Sequence, residues 1–243
     1  MIADLRKLWQ EAFEDSDSAL DGFFATGFSP DRFHSLQENG APVCANYWFD
    51  CEVDGQKMAY LYAIATLKSH RGKGLAKKLI AETQEILKAR GYAGAILVPG
   101  EPSLFDFYEK IGYRTATTVT EISATAGDAP VALHKIDPAE YGALRKTLLP
   151  PGSVVQEGAT LDYLNTYCAL FAGADFVLAA AMDEGALLVQ EYLGDAALIP
   201  GILAALGAKK GQFRTPGTDR NFAMYLPLTP DCPRPGYFGL ALD

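Results

Sequence analysis

Apolar residues near the N-terminus recur at three- and four-residue spacing. Leu5, Leu8, Trp9, Ala12 and Phe13 form the stripe of one helical face. Asp15, Ser16 and Asp17 interrupt it. Residues 19–24 predict a second short helix presenting Leu20, Phe23 and Phe24, closed by Gly27 and Pro30. The pattern then changes to strands over 32–37, 43–53 and 58–67. They are separated by Asn39-Gly40 and Asp54-Gly55, pairs that tolerate the positive φ of tight hairpin turns. Residues 58–67 are almost continuously apolar, which predicts a mid-sheet strand buried on both faces.

A longer helix follows, starting near Gly72 or Gly74 and ending at Arg90. Leu75, Leu79, Thr83, Ile86 and Leu87 share its inner face, and Gly91 suits a left-handed cap. Next come a strand over 92–98, a helix opened by Pro102 with Leu104, Phe107, Tyr108 and Ile111 on one face, and a strand over 113–122. Residues 123–130 are small and polar, so a domain boundary is expected there, giving domains 1–124 and 125–243. The second half predicts helices over 138–149, 160–171 and 196–206. Its predicted strands span 176–182, 186–192, 211–214 and 222–226. Helices followed by hairpin strands and a helix thus occur twice, as a duplication at domain scale would produce. The expected class is α+β.

Composition narrows the function. The chain has 243 residues, 49% of them hydrophobic, with no apolar run of membrane-spanning length. The acidic N-terminus lacks the order of a signal peptide, so a cytoplasmic protein is expected. A formal net charge of -9 argues against nucleic-acid binding and weakly favours a neutral or cationic substrate. Cys44, Cys51, Cys168 and Cys232 form no C-x-x-C pair and only three histidines accompany them, so no metal site is expected.

The informative unit is the strand, then Lys68-Ser69-His70-Arg71-Gly72-Lys73-Gly74-Leu75-Ala76, then the long helix. Two glycines one residue apart let the backbone turn so that successive N–H groups face one anion. The helix start adds uncapped donors and the positive end of its dipole. The order is neither that of a nucleotide P-loop nor of a dinucleotide fingerprint. From spacing alone it is a phosphate cradle, or a surface turn with a basic helix start.

Ala63-Ile64-Ala65-Thr66 with His70 to Ala76 resembles the acetyl-CoA motif of the GNAT N-acetyltransferases. Residues 104–113, a helix carrying Tyr108 and ending in Gly112-Tyr113, resemble that family's next motif. The order of elements to about residue 122 matches as well. The resemblance implies a mixed, largely antiparallel sheet flanked by helices. It also implies acetyl-CoA as cosubstrate without a metal, and transfer to a primary amine of a small molecule by direct attack. Ile64, Ala65 and Thr66 would line the pantetheine and thioester. Arg71, Gly72, Lys73, Gly74, Leu75 and Ala76 would hold the pyrophosphate. Tyr108 would protonate the leaving thiolate, although an aromatic on an inner helix face is ordinarily core.

A general base is not evident. Asp50, Glu52 and Glu101 are candidates that as surface carboxylates need no function. The apolar terminal stretch ends in Asp243, and larger members of the superfamily carry a second, degraded domain whose C-terminal carboxylate reaches the active site. Asp243 is therefore a further candidate, on a stretch expected to tuck inward as a strand. Residues 193–201 lack paired glycines and any Lys or Arg, so no second cofactor site is expected. The second domain is expected to wall the acceptor cleft or form an oligomer contact such as a homodimer. The amine remains unspecified, a cationic one among the candidates. The alternative activity is a non-catalytic CoA-binding sensor or scaffold.

Overall fold

The computed structural model describes residues 2–242. The chain forms two compact units. One comprises the residues up to Arg114 with Met224–Arg234; the other comprises Thr115–Ala223 with the residues from Pro235 onward.

The first unit opens with α1 (Ile2–Phe13), which buries Leu5, Leu8 and Trp9, and α2 (Asp17–Gly22), capped by Ser16. A π-helical turn over Phe23–Gly27 continues α2, so the helix predicted over 19–24 changes pitch at Phe23. Strands β1 (Phe33–Glu38), β2 (Ala41–Val53) and β3 (Gln56–Thr66) form an antiparallel meander. Asn39, Gly40, Asp54 and Gly55 all have positive φ, as hairpin turns require. Helix α3 (Leu75–Ala89) buries Leu79, Ile80, Thr83 and Leu87. Ile80 takes part in that face, whereas Leu75 and Ile86 are only partly covered. Strand β4 (Gly94–Leu97) returns parallel to β3, and α4 (Ser103–Glu109) follows.

The strand predicted over 113–122 is in fact two. β5 (Arg114–Thr115) belongs to the first sheet, and β6 (Thr118–Thr125) pairs with a strand of the second. The second unit continues with β7 (His134–Lys135), α5 (Pro138–Leu148), α6 (Ala159–Leu164), β8 (Ala169–Ala172), β9 (Val177–Asp183) and β10 (Ala186–Leu193). Helix α7 (Ile199–Ala205), β11 (Lys210–Pro216) and β12 (Arg220–Asn221) complete its elements. The helix predicted over 160–171 stops at Leu164, because residues 169–172 pair with 177–180 as a hairpin. The chain then adds β13 (Met224–Pro227) to the first sheet, antiparallel to β4.

The sheet orders are β1-β2-β3-β4-β13-β5 and β12-β6-β11-β10-β9-β8-β7. The division expected at 124/125 therefore falls elsewhere. β6 carries the apparent linker into the second sheet, and residues 224–234 return to the first unit. Each sheet contains an antiparallel meander, a neighbour reached by a helical crossover and lying parallel, and an antiparallel strand beyond it. The terminal stretch is buried within the second unit but makes a single bridge, Tyr237 with Ser153, instead of a strand. No helix among the described residues is long and apolar enough to cross a membrane.

Candidate active site

The site elements lie at the C-terminal end of β3. This strand pairs with β4 only through Met58, Ala59 and Tyr60. From Leu61 onward that edge has no partner strand among the described residues, because β3 and β4 part. The other edge pairs with β2 but slips in register: Ala45 faces Ala65, whereas Tyr47 faces Tyr62. Asn46 therefore opposes both Ala63 and Ile64, which is a β-bulge. Ala63 sits at φ +51°, in the left-handed region. The Trp9 indole N–H donates to its carbonyl at 3.0 Å. Beyond the bulge, Ile64 packs on the cluster that contains Trp48, Leu61 and Tyr108. Ala65 is buried, and the Thr66 hydroxyl lies 3.1 Å from the Cys44 Sγ.

After a 3-10 turn over Lys68–His70, Gly72 and Gly74 both adopt φ +76°. A Cβ at either position would meet nothing within 4 Å. Glycine is thus required by the backbone angle, and the space beside the loop is open. Gly74 opens α3 without a side-chain cap, and the first helical bond runs from the Lys78 N–H to the Gly74 carbonyl at 3.1 Å. Among the described residues, the N–H groups of residues 72–77 have no protein acceptor. This run of uncommitted donors lies at the positive end of a 15-residue helix, an arrangement that favours negative charge.

The side chains are less directed at that point than the sequence suggests. The Arg71 Nε donates back to the Thr66 carbonyl at 3.2 Å. The His70 ring lies between Ser69 Oγ at 2.8 Å and Glu38 Oε2 at 2.6 Å. His70 holds the Glu38 carboxyl below the usual carboxylate range through that hydrogen bond and its charge. The backbone, more than the basic side chains, defines the cradle.

Tyr108, on α4, is 7% exposed and packs edge-on against Tyr113 at 5.8 Å. Its hydroxyl has no hydrogen-bond partner among the described residues. Burial pushes this phenol up to about 12. A protonated hydroxyl with no internal partner is available to a group outside the core.

The base candidates separate. Asp50 accepts the Tyr92 hydroxyl and pairs with Arg32 at 2.9 Å. It faces Ala59, seven residues along β3 from Thr66, or roughly 23 Å away at 3.3 Å per residue. It is a structural carboxylate, engaged by Tyr92 and Arg32 and far from Thr66. Glu101 accepts Ser103 Oγ at 3.3 Å beside α4, and Glu52 is exposed opposite Lys57. Asp243 lies outside the described residues. Trp9, Asn46 and Thr83 were legible only as core or helix-face positions. The Trp9 indole holds the bulge, and Thr83 Oγ1 on α3 lies 3.0 Å from Asn46 Oδ1 opposite it.

The profile of the acetyltransferase (GNAT) domain matches residues 2–116. A Bacillus subtilis (strain 168) protein that carries an acetyltransferase name is 40% identical over 57 residues, 24% of this chain. That match spans 38% of the relative's length. In fold, the chain is similar to a GCN5-related N-acetyltransferase from Anabaena variabilis, at 16% identity and a TM-score of 0.70. The overlap is 94% of this chain and 70% of that one. It also resembles one from Kribbella flavida, at 15% identity and a TM-score of 0.69, covering 92% and 68% respectively. A tandem GNAT protein from the clavulanic acid biosynthesis pathway aligns over 95% of both chains, at 12% identity and a TM-score of 0.56. Both sheets, not the first alone, fall within these overlaps. Residues 2–116, with their open-edged strand, glycine turn and uncapped helix, thus match the acetyltransferase (GNAT) domain, and the chain as a whole is similar in fold to GCN5-related N-acetyltransferases.

Proposed function

We propose that this protein is an N-acetyltransferase that moves an acetyl group from acetyl-CoA to a primary amine of a small molecule. One observation carries the reading: the unpaired edge of β3 runs directly into the uncommitted amides of residues 72–77. A pantetheine arm is an extended amide chain suited to an open strand edge, and a pyrophosphate suits a helix N-terminus. The open space at Gly72 and Gly74 fits a ligand pressed against the backbone.

On this reading Arg71, Gly72, Lys73, Gly74, Leu75 and Ala76 hold the pyrophosphate, and Ile64, Ala65 and Thr66 line the thioester. Acetyl-CoA supplies the activated acyl group. The Ile64 N–H polarises the thioester carbonyl, as preorganised donors do where negative charge develops. Tyr108 holds a proton for the departing sulfur, and its burial keeps that proton in place at neutral pH. Attack is direct, by an amine that arrives neutral or loses its proton at the site. Asp243 is retained as a candidate base. The second unit is proposed to be a degenerate acetyltransferase-like domain, on the strength of its repeated topology.

The test is thiol release from acetyl-CoA with a panel of small primary amines, mono- and polycationic. Turnover with at least one amine is expected. Tight CoA binding with no release across the panel would instead support a CoA-binding sensor.

A further inference from the structure

We propose that Trp9 is a positioning residue for acyl transfer, its indole N–H clamping the bulge so that the Ile64 N–H is aimed at the thioester. This rests on the functional reading above and extends it to a residue outside both motifs.

Three observations meet here. Ala63 is an L-residue at φ +51°, a region that side-chain-bearing residues seldom adopt. The ladder slips one residue at the same point, so Ala63 and Ile64 share one partner on β2. The Ala63 carbonyl accepts from Trp9 Nε1 at 3.0 Å, and Trp9 is 1% exposed. An indole N–H is a donor only and has one direction. The ring that carries it is fixed edge-on against Phe23 at 5.3 Å and lies against Phe24 at 5.7 Å.

Peptide planarity supplies the consequence. In a trans peptide the carbonyl of one residue and the N–H of the next point opposite ways. Holding the Ala63 carbonyl toward α1 therefore turns the Ile64 N–H away from α1. The Ile64 side chain follows, onto the cluster that contains Tyr108. Without the indole donor, Ala63 can relax from φ +51° toward an ordinary extended angle. That relaxation would rotate the Ile64 N–H off the carbonyl while leaving the loop at Gly72 and Gly74 untouched.

The experiment compares Trp9→Phe, Ala63→Gly and the double variant. Phenylalanine keeps a ring in the aromatic cluster and removes the N–H. CoA has no thioester carbonyl, so its Kd should stay within about twofold of wild type. Turnover of acetyl-CoA should fall about 10- to 30-fold, part of the 10²–10³ that deleting an oxyanion donor costs. Glycine enters the left-handed region freely, so adding Ala63→Gly to Trp9→Phe should restore turnover to within about threefold of wild type.

Unchanged turnover in Trp9→Phe overturns the proposal. So does a parallel loss of CoA affinity and turnover that Ala63→Gly does not rescue, because that is the mark of a packing role. If wild type turns over no amine, the functional reading fails and the clamp is judged by the Ile64 amide resonance. The probe is the ketone analogue of acetyl-CoA with CH2 in place of sulfur. A shift with this analogue but not with CoA, present in wild type and lost in Trp9→Phe, supports the clamp; no such shift in wild type refutes it.

Discussion

The two crossovers of the chain share a plan and differ in what they leave undone. In each, a strand carries a register slip about three residues before its end, at Ala63 in β3 and at Gln190 in β10. In each, that strand pairs in parallel with the next only up to the slip. In the first unit the bulge carbonyl is held from α1, and the edge facing β4 stays open. In the second, Arg214 on β11 reaches across to the Gln190 carbonyl at 3.4 Å and the Gly239 carbonyl at 3.3 Å. The corresponding opening is closed by a guanidinium and the terminal segment. The helix starts differ in the same sense. Gly74 leaves the α3 amides bare, whereas the Asp195 carboxylate accepts from the Ala197 N–H at 2.9 Å and caps the 3-10 turn over Ala196–Leu198 that leads into α7. The first unit places a helix carrying Tyr108 after its crossover strand, and the second goes from β11 into β12 with none. The same plan leaves polar groups unsatisfied in the first unit, as the proposed ligand site requires, and satisfies them internally in the second.

The largest expected effect tests the second half of that contrast. Arg145 and Glu191 form an ion pair at 1% and 0% exposure, with Tyr141 also donating to Glu191 at 3.2 Å. Arg145→Met leaves the Glu191 carboxylate buried without its cation, a change that costs about 3–5 kcal/mol. Urea unfolding should show that loss, while CoA affinity under native conditions stays unchanged. A lowered CoA affinity in folded protein would mean that the second unit is not merely structural.

Glycines in the two loops should then respond in opposite ways. Gly74→Val forces a β-branched residue to φ +76° and should cost CoA affinity about a hundredfold, since two charge-assisted bonds of roughly 1.5–3 kcal/mol each are disturbed. No steric clash contributes, because that Cβ would find open space. At Gly194 a Cβ would lie 2.5 Å from the Phe176 Cβ and 2.7 Å from the Tyr192 hydroxyl. Gly194→Ala should therefore lower stability by about 1–3 kcal/mol and leave CoA affinity alone. Calorimetric titration and thermal melts of the two variants separate the outcomes.

Tyr108→Phe should lower kcat about 10- to 100-fold with CoA affinity unchanged. Its pH dependence has a definite sign. A free phenol titrates near 10, whereas burial holds this one to about 12, so the folded state retains a proton that the unfolded chain loses. The hydroxyl should remain a donor through about pH 10, and its contribution to stability should decline between about pH 10 and 12. An alkaline fall of kcat near pH 8 that vanished in Tyr108→Phe would contradict this.

Much of the first unit was legible because its turns are written in glycine. Gly40, Gly55, Gly72, Gly74, Gly91 and Gly112 all take the positive φ that ends or bends an element. The bulge was not legible, since Ala63 has no glycine to betray it and its partner Trp9 lies 54 residues away, on a stripe that reads as core. The strand expected over 113–122 failed for a related reason. Local pattern registers that residues 118–125 are extended, but the choice of sheet is made by pairing with 210–216. Residues 169–172 illustrate the same limit, since an apolar run at a helix end becomes a strand once its hairpin partner is present.

The smallest expected effect concerns charge beside the open loop. In the second unit a carboxylate caps the 3-10 turn leading into α7; in the first, Glu38 is directed at His70 and leaves the α3 amides free. If the backbone cradle dominates, this exposed carboxylate acts on a bound pyrophosphate only through its field. Glu38→Gln removes one negative charge, so CoA should bind about two- to threefold more tightly at low ionic strength. The difference should disappear near 0.5 M salt, where the screening length is roughly 4 Å. The carboxyl is held below its usual range by His70, so the wild-type field persists at pH 5 and the comparison can be made there as well as at neutral pH. A weakening by tenfold or more would show that Glu38 holds the loop in shape through His70, and the cradle would then depend on side chains as much as on its amides.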